Sequence, residues 1–175
     1  MYAASVANPD LTTQIVPPPH LMACEKHLMD LIADGFIGEV VNVNIRITDG
    51  SSYPDPDTEA HWRQMRELSG NNVMTTGIWY ENLMRLVGTA SSVSANAQIV
   101  VPYRRGWDGN RYPMTIPDQL DVIYSLAGGG SVNMTVTTVS GSFAPPTEIW
   151  IFGTEGTLRI ESNGLDADPK VTGAR

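Results

Sequence analysis

Two periods of apolar residues divide this chain. From Val40 to Thr48, Val41, Val43, Ile45 and Ile47 alternate with Asn42, Asn44 and Arg46. That period of two gives a strand with one face for a core and one for water. Ahead of it, from His20 to Ala33, Leu21, Cys24, Leu28, Leu31 and Ile32 recur at helical spacing, and Gly35 stands just past the end, where a left-handed residue is favoured. Helical spacing returns over Ile78, Trp79, Leu83, Met84, Leu86 and Val87, entered from the polar loop Ser69–Asn72 and ended by Gly88.

The remaining segments read as short strands and turns. Leu11–Val16 has the β-branched content of a strand, which Pro17, Pro18 and Pro19 end. It arrives without a strand or helix before it, so its partners are expected upstream of Met1. Asp49–Ala60, with Pro54, Pro56 and several acidic residues, is expected to loop over the surface. Ser91–Val101 reads as a strand that runs into a loop up to Pro117. Asp118–Leu126 and Ser131–Ser140 flank Gly128, Gly129 and Gly130 and form one antiparallel hairpin. Thr147–Phe152 and Thr157–Glu161 form another around Gly153 and Gly156. Beyond Ser162 a frayed end is expected. The sum is an α+β domain: an open, mostly antiparallel β-sheet with helices packed on one face. Its other face carries Asn133, Thr135 and Thr137, polar and uncharged, and can be solvated or can meet another subunit.

Composition narrows the function classes. With 175 residues, 42% of them hydrophobic and 17% charged, the chain has material for one core. A net charge of −8 opposes nucleic acid and anionic membranes, which require a basic field, and points to small-molecule or protein partners. A single cysteine, Cys24, allows no intrachain disulfide and fits a reducing compartment. No basic leader and no apolar run of about 18 residues occurs, so a cytoplasmic protein is expected.

Candidate chemistry is sparse. The glycine-rich turns lie between strands, and none opens a helix after a strand, so no nucleotide site is read. No serine-nucleophile elbow occurs either, and Cys24 sits on an apolar helix stripe as packing. His20 and His27 are two helical turns apart, about 10.5 Å, too far to share one ion, so no metal site is expected. His61, Trp62 and Arg63 are the more interesting cluster. A histidine can serve as acid or base and an arginine can hold a carboxylate or hydroxyl, although a plain surface cluster accounts for them as well. The Tyr103–Pro113 loop mixes arginines and aromatics in a way that suits a sugar face or a subunit contact, or a plain surface loop.

Three segments, IADGFIGEV (Ile32–Val40), LSGNNVMTTGIWY (Leu68–Tyr80) and IWIFGTEGTL (Ile149–Leu158), in this order and spacing, resemble the second domain of the Gfo/Idh/MocA oxidoreductases. The resemblance implies a dihydrodipicolinate-reductase-like C-terminal domain over residues 20–162, which supplies substrate contacts to a sugar or polyol and a homo-oligomer interface on the open sheet. It implies that residues 1–19 are the remnant of a junction with a dinucleotide-binding domain and that residues 163–175 are a truncated tail. The catalytic lysine of the family's Glu-Lys-Pro segment would precede Met1. No cofactor is then expected on this chain alone, while NAD or NADP is expected in the longer protein. The resemblance also places substrate contacts at Thr75, Trp79 and Asn82, to which the residue reading adds Arg63. Thr75 and Trp79 stand where the family carries an aspartate and a histidine, and Asn82 where a further aspartate is common. Neither Thr75 nor Trp79 exchanges protons near neutrality, so the site has either moved its chemistry, with His61 as the candidate catalytic residue, or given it up.

Overall fold

The computed structural model describes residues 2–14, 21–48, 53–70, 76–141, 145–163 and 168–175. A short helix, α1 (Tyr2–Val6), precedes α2 (Met22–Ala33), which leads into strand β1 (Val40–Thr48). After a 3-10 turn at Trp62–Gln64 come α3 (Arg66–Ser69) and α4 (Thr76–Val87). Strands then dominate: β2 (Ala90–Gln98), β3 (Tyr103–Arg105), β4 (Arg111–Pro113), β5 (Gln119–Leu126), β6 (Ser131–Thr137), β7 (Thr147–Gly153), β8 (Thr157–Ser162) and β9 (Lys170–Ala174).

The period-two strands assemble into one seven-stranded sheet in the order β2-β5-β6-β1-β7-β8-β9, and β3 and β4 make a separate hairpin. Within the sheet every pairing is antiparallel except β1 with β6. The expected architecture, an open and mostly antiparallel sheet with helices on one face, is the one observed. One face carries Val43, Ile45, Val132, Met134, Val136, Ile149, Ile151, Leu158 and Ile160, all nearly or fully buried. Onto it α2 lays Cys24 and Leu28, and α4 lays Trp79, Leu83 and Leu86, so the helical stripes and the alternating strands meet in a single core.

Local chemistry fixes the element ends. At the end of α2 the Gly35 amide donates to the Ile32 carbonyl (3.0 Å) and the Phe36 amide to that of Leu31 (2.9 Å). Gly35 adopts φ 74°, so the glycine supplies the left-handed residue that this paired closing motif demands. Gly130, at φ 86°, ends the turn between β5 and β6, where an added Cβ would lie 2.7 Å from the Val40 carbonyl oxygen. Between the helices, Arg85 of α4 reaches Glu25 of α2 at 3.1 Å and Glu81 at 2.7 Å.

Several sequence expectations shift. Leu11–Gln14 form no strand, helix α1 (Tyr2–Val6) precedes them where no helix was expected, and Ile15, Val16 and His20 lie outside the described residues. The expected strand Ser91–Val101 stops at Gln98 because the amides of Val100 and Val101 turn to the carboxylate of Asp118, at 2.7 and 3.0 Å. The Pro102–Pro117 loop contains the β3–β4 hairpin. The end expected to fray beyond Ser162 instead holds β9, which pairs with β8 from Glu161↔Lys170 to Thr157↔Ala174. Gly173 permits this, since a Cβ there would lie 2.9 Å from the Phe36 ring. No helix among the described residues is long and apolar enough to cross a membrane.

Leu83 is fully buried at the helix–sheet contact. We expect Leu83→Ala to lower unfolding free energy by about 2–5 kcal/mol in chemical denaturation. Val6→Ala on α1, where Val6 is 60% exposed, changes it by less than about 0.5 kcal/mol.

Candidate functional site

The residues singled out from the sequence fall into two environments. His61 and Arg63 sit on an exposed turn, and Trp79 and Asn82 lie inside the helix–sheet layer, 4% and 2% exposed. Thr75 lies outside the described residues.

His61 caps the 3-10 turn. Its Nδ1 accepts from the Arg63 amide (3.3 Å), and the Gln64 side chain accepts from the His61 amide (2.9 Å), a reciprocal box that closes the start of the turn. With Nδ1 engaged as an acceptor, the neutral ring carries its proton on Nε2, and that nitrogen remains for an outside partner. The Arg63 guanidinium lies 4.4 Å from the centre of the Trp62 ring, a cation–π contact that orients it along the surface.

This turn is tied to the β3–β4 hairpin. The Ala60 amide donates to the Arg105 carbonyl (2.8 Å), Arg66 Nη2 donates to the Thr115 carbonyl (3.2 Å), and Arg111 pairs with Asp57 (3.1 Å). Inside the hairpin Asp108 is a hub: it accepts from the Tyr112 hydroxyl (2.7 Å) and from the Asn110 amide (3.0 Å) and side chain (2.8 Å). The Tyr112 bond, then those of Asn110, holds the Asp108 carboxyl below its ordinary value. At the hairpin base the Asp118 carboxylate receives the two strand-end amides, and buried Arg104 lies 3.8 Å from it. The polar turn and the aromatic–arginine loop, read separately in the sequence, form one module whose tip exposes Trp107 at 86%.

On α4 the polar group is in the wrong place for solvent. Asn82 shares the buried stripe with Trp79, Leu83 and Leu86, and its Nδ2 has no hydrogen-bond partner among the described residues. An unsatisfied buried donor costs about 1–3 kcal/mol. Trp79 belongs to the core cluster. Cys24 is buried too, and burial pushes its thiol up, consistent with packing. Of the three histidines, His20 lies outside the described residues and His27 is exposed on α2.

Sequence reasoning passed over the open face of the sheet as chemistry. There Glu148 of β7 receives Arg159 Nη2 (2.6 Å) and Nε (2.9 Å), Trp150 Nε1 (3.1 Å) and Arg46 Nη2 (3.1 Å). The Arg159 guanidinium also stands 4.9 Å from the Trp150 ring centre, and Trp150 stacks on Phe152 at 5.8 Å. Alternate positions of the run from Glu148 to Arg159 held the signal, since Glu148, Trp150, Phe152 and Arg159 share one face by register.

A model of the GFO/IDH/MocA C-terminal domain matches residues 26–159. The chain is 30% identical over 155 residues to D-xylose 1-dehydrogenase [NADP(+)] of Haloarcula marismortui, covering 87% of this chain and 40% of that protein. Its structure is similar to that of an NAD binding oxidoreductase from Klebsiella pneumoniae, with a TM-score of 0.78 at 19% identity, covering 98% of this chain and 49% of the other. It is also similar to levoglucosan dehydrogenase in complex with NADH and L-sorbose, with a TM-score of 0.75 at 18% identity over 87% of this chain and 42% of the other. The chain thus spans less than half the length of each of these proteins.

Burial opposes a charged Glu148, but the bonds from Arg159 and Trp150 and the charges of Arg159 and Arg46 outweigh it, so its carboxyl is held below its ordinary value. A carboxylate lowered on folding stabilises the fold above the ordinary range, about 4.3, and loses that contribution as pH falls through its own lower value. Glu148→Gln is therefore expected to cost about 1.5–3 kcal/mol at neutral pH. The difference from the parent should shrink below about pH 4, read from denaturation curves of both chains across the acid range.

Proposed function

The chain belongs to the GFO/IDH/MocA family as a C-terminal domain, and from that premise we propose that it is the substrate-binding and oligomerisation domain of an NAD(P)-dependent oxidoreductase acting on a sugar, polyol or related small molecule. The observation that carries this reading is the family match across residues 26–159, joined to the 30% identity with a D-xylose dehydrogenase. The domain is proposed over residues 20–162, and β9 (Lys170–Ala174) extends its sheet beyond that bound.

The residues present do not fit a dinucleotide. Among the described residues the glycine-rich turns at Gly128–Gly130 and Gly153–Gly156 join β5 to β6 and β7 to β8, and neither opens a helix whose N-terminus could face a pyrophosphate. No step is therefore routed through NAD or NADP on this chain. The nicotinamide is expected on another domain of the longer protein, and this chain alone binds without turnover.

For the site itself, His61 presents its ring on an exposed, capped turn, and Asn82 Nδ2, buried on α4, is a donor without a partner among the described residues. Arg63, Thr75 and Trp79 complete the candidate set. Trp79 favours a second reading, a non-catalytic ligand-binding or assembly protein on the same fold, because an indole packed in the core exchanges no proton with a substrate. The coding sequence upstream of Met1 separates the two: a glycine-rich dinucleotide motif and a Glu-Lys-Pro segment support the enzyme, and a complete gene without them supports the binding protein. Self-association is proposed on the open face, where Glu148, Trp150 and Arg159 are already held in place and a second copy need not order them.

Titration of the chain with aldopentoses and polyols, followed by amide chemical shifts, is expected to move signals of the 53–70 segment and of α4, with NADH fluorescence unchanged. Hydride transfer or NADH binding by the 175-residue chain contradicts the proposal. Asn82→Leu is expected to leave stability equal or raise it by about 1 kcal/mol, since it removes an unsatisfied buried donor, while weakening the shifts on α4.

A further inference from the structure

Strand β2 ends the sheet and, among the described residues, pairs with β5 alone. Its nine residues, ASSVSANAQ, are exposed from Ser91 to Gln98. A free edge is a row of unpaired backbone donors and acceptors, which folded proteins usually blunt with charge, proline, shortness or a cover. None of these is found on β2, which has no charged residue and no proline. The opposite edge is treated differently. There β9 has five residues, follows Pro169 and starts with Lys170, and Arg175 beyond it donates to the carbonyls of Phe36 (2.9 Å) and Gly35 (2.8 Å).

The helix layer also stops short of β2. On the helix side of the sheet, Val93 stands opposite Tyr124, Ala95 opposite Val122 and Ala97 opposite Leu120. The β5 residues are 4%, 9% and 7% exposed, whereas Val93 is 67% exposed. Ile99 and Val100, just past the strand, are 42% and 41% exposed. Apolar rows from the core thus run out to an uncovered edge.

We propose that β2 pairs antiparallel with β2 of a second copy of this chain, about a two-fold axis at Ser94, and joins the two sheets into one. The strand is complementary to itself in that register. Val93 faces Ala95 on the helix side, and Ser92 faces Asn96 on the open side. Ser91 then faces Ala97, so the seven residues Ser91–Ala97 pair with each couple on one face of the sheet, while the bulge between Ala90 and Ser92 takes Ala90 out of this register. No pair sets like charges against each other, so two copies of net charge −8 meet along an uncharged line. Val93 and its symmetry mate gain apolar neighbours across the axis. A partner strand bearing lysines or glutamates would gain the backbone bonds but no ion pairs from β2, which favours the identical strand. This contact lies on a sheet edge and is independent of the stacking proposed for the open face.

The test uses single cysteines at Val93, Ser94 and Ala95 in the full chain, with Thr172→Cys on β9 as control. Buried Cys24 is present in all of them and in the unmodified chain as background. Residues directly opposite across an antiparallel pair have Cβ atoms about 4.5–5.5 Å apart, close to the span a disulfide closes. On mild oxidation Ser94→Cys is expected to give a covalent dimer as the main species on a non-reducing gel, and Thr172→Cys a monomer. In light scattering Ser94→Lys is expected to halve the mass, and an equimolar mixture of Ser94→Lys with Ser94→Glu to restore it. Three results overturn the proposal: no cross-link at any of the three positions, a monomeric parent chain at high concentration, or a mass unchanged by Ser94→Lys. Loss of association on Asn44→Arg alone assigns the contact to the open face, and binding of an unrelated extended peptide in place of a second copy assigns the edge to another partner. Either outcome sinks the edge dimer.

Discussion

The pairing of β1 with both its neighbours is the constraint on which the rest of this domain depends. β1 stands at the centre of the sheet, parallel to β6 and antiparallel to β7, so the two halves of the sheet are joined only through its backbone. A parallel neighbour cannot be reached by a tight turn, and the chain between β1 and β6 is long enough to place α4, β2 and β5 on the way. Because α2 precedes β1 and α4 follows it, both helices come to the same face. The alternation Val43, Ile45, Ile47 then decides which face is dry and leaves Asn42, Asn44 and Arg46 on the other.

The features readable in the sequence are the ones that such local periodicity determines. The runs of β1, β5, β6, β7 and β8 were specified by alternation and by glycine turns, and α2 and α4 by their stripes and closing glycines. The β3–β4 hairpin was not, because its strands have three residues each and are held by Asp108, Asp118 and Arg104 rather than by any periodicity. β9 was hidden for a related reason. Its KVTGA run carries little apolar signal, and its place is set by pairing with β8 and by the Phe36 ring against Gly173. The ends of β2 and β6 also depend on one distant group, since Asp118 takes the amides of Val100 and Val101 on its carboxylate and that of Thr138 on its carbonyl.

The candidate site divides along the same line. His61 and Arg63 are recognisable as a polar pair, and the structure adds that the pair is ordered by a capping box and by Trp62. Helical spacing already put Trp79 on the stripe of Leu83 and Leu86, and the structure adds Asn82 to that buried face. The family resemblance drew attention to both positions as chemistry, while periodicity marked Trp79 as core. Asn82 is where the two readings meet. Its Nδ2 is a donor at a core position without a partner among the described residues, a feature that costs stability and that folding alone does not explain.

The polar face gains its meaning from how little of it is left unpaired. Glu148 is shared by Arg46, Arg159 and Trp150, Thr135 donates to Asp121 at 2.8 Å, and Asn133 donates to Asn44 at 3.1 Å. These groups satisfy one another across neighbouring strands, so the face is rigid before anything meets it, and a partner pays little to order it. A surface of this kind favours a defined docking geometry over strong adhesion, since its charges are already matched within the chain. Strand β2 presents the opposite case: its side chains are small and uncharged, and its unmatched groups are in the backbone. Specificity on the face resides in side-chain networks, whereas on the edge it resides in register, and the two surfaces therefore respond to different substitutions even where both contribute to one assembly.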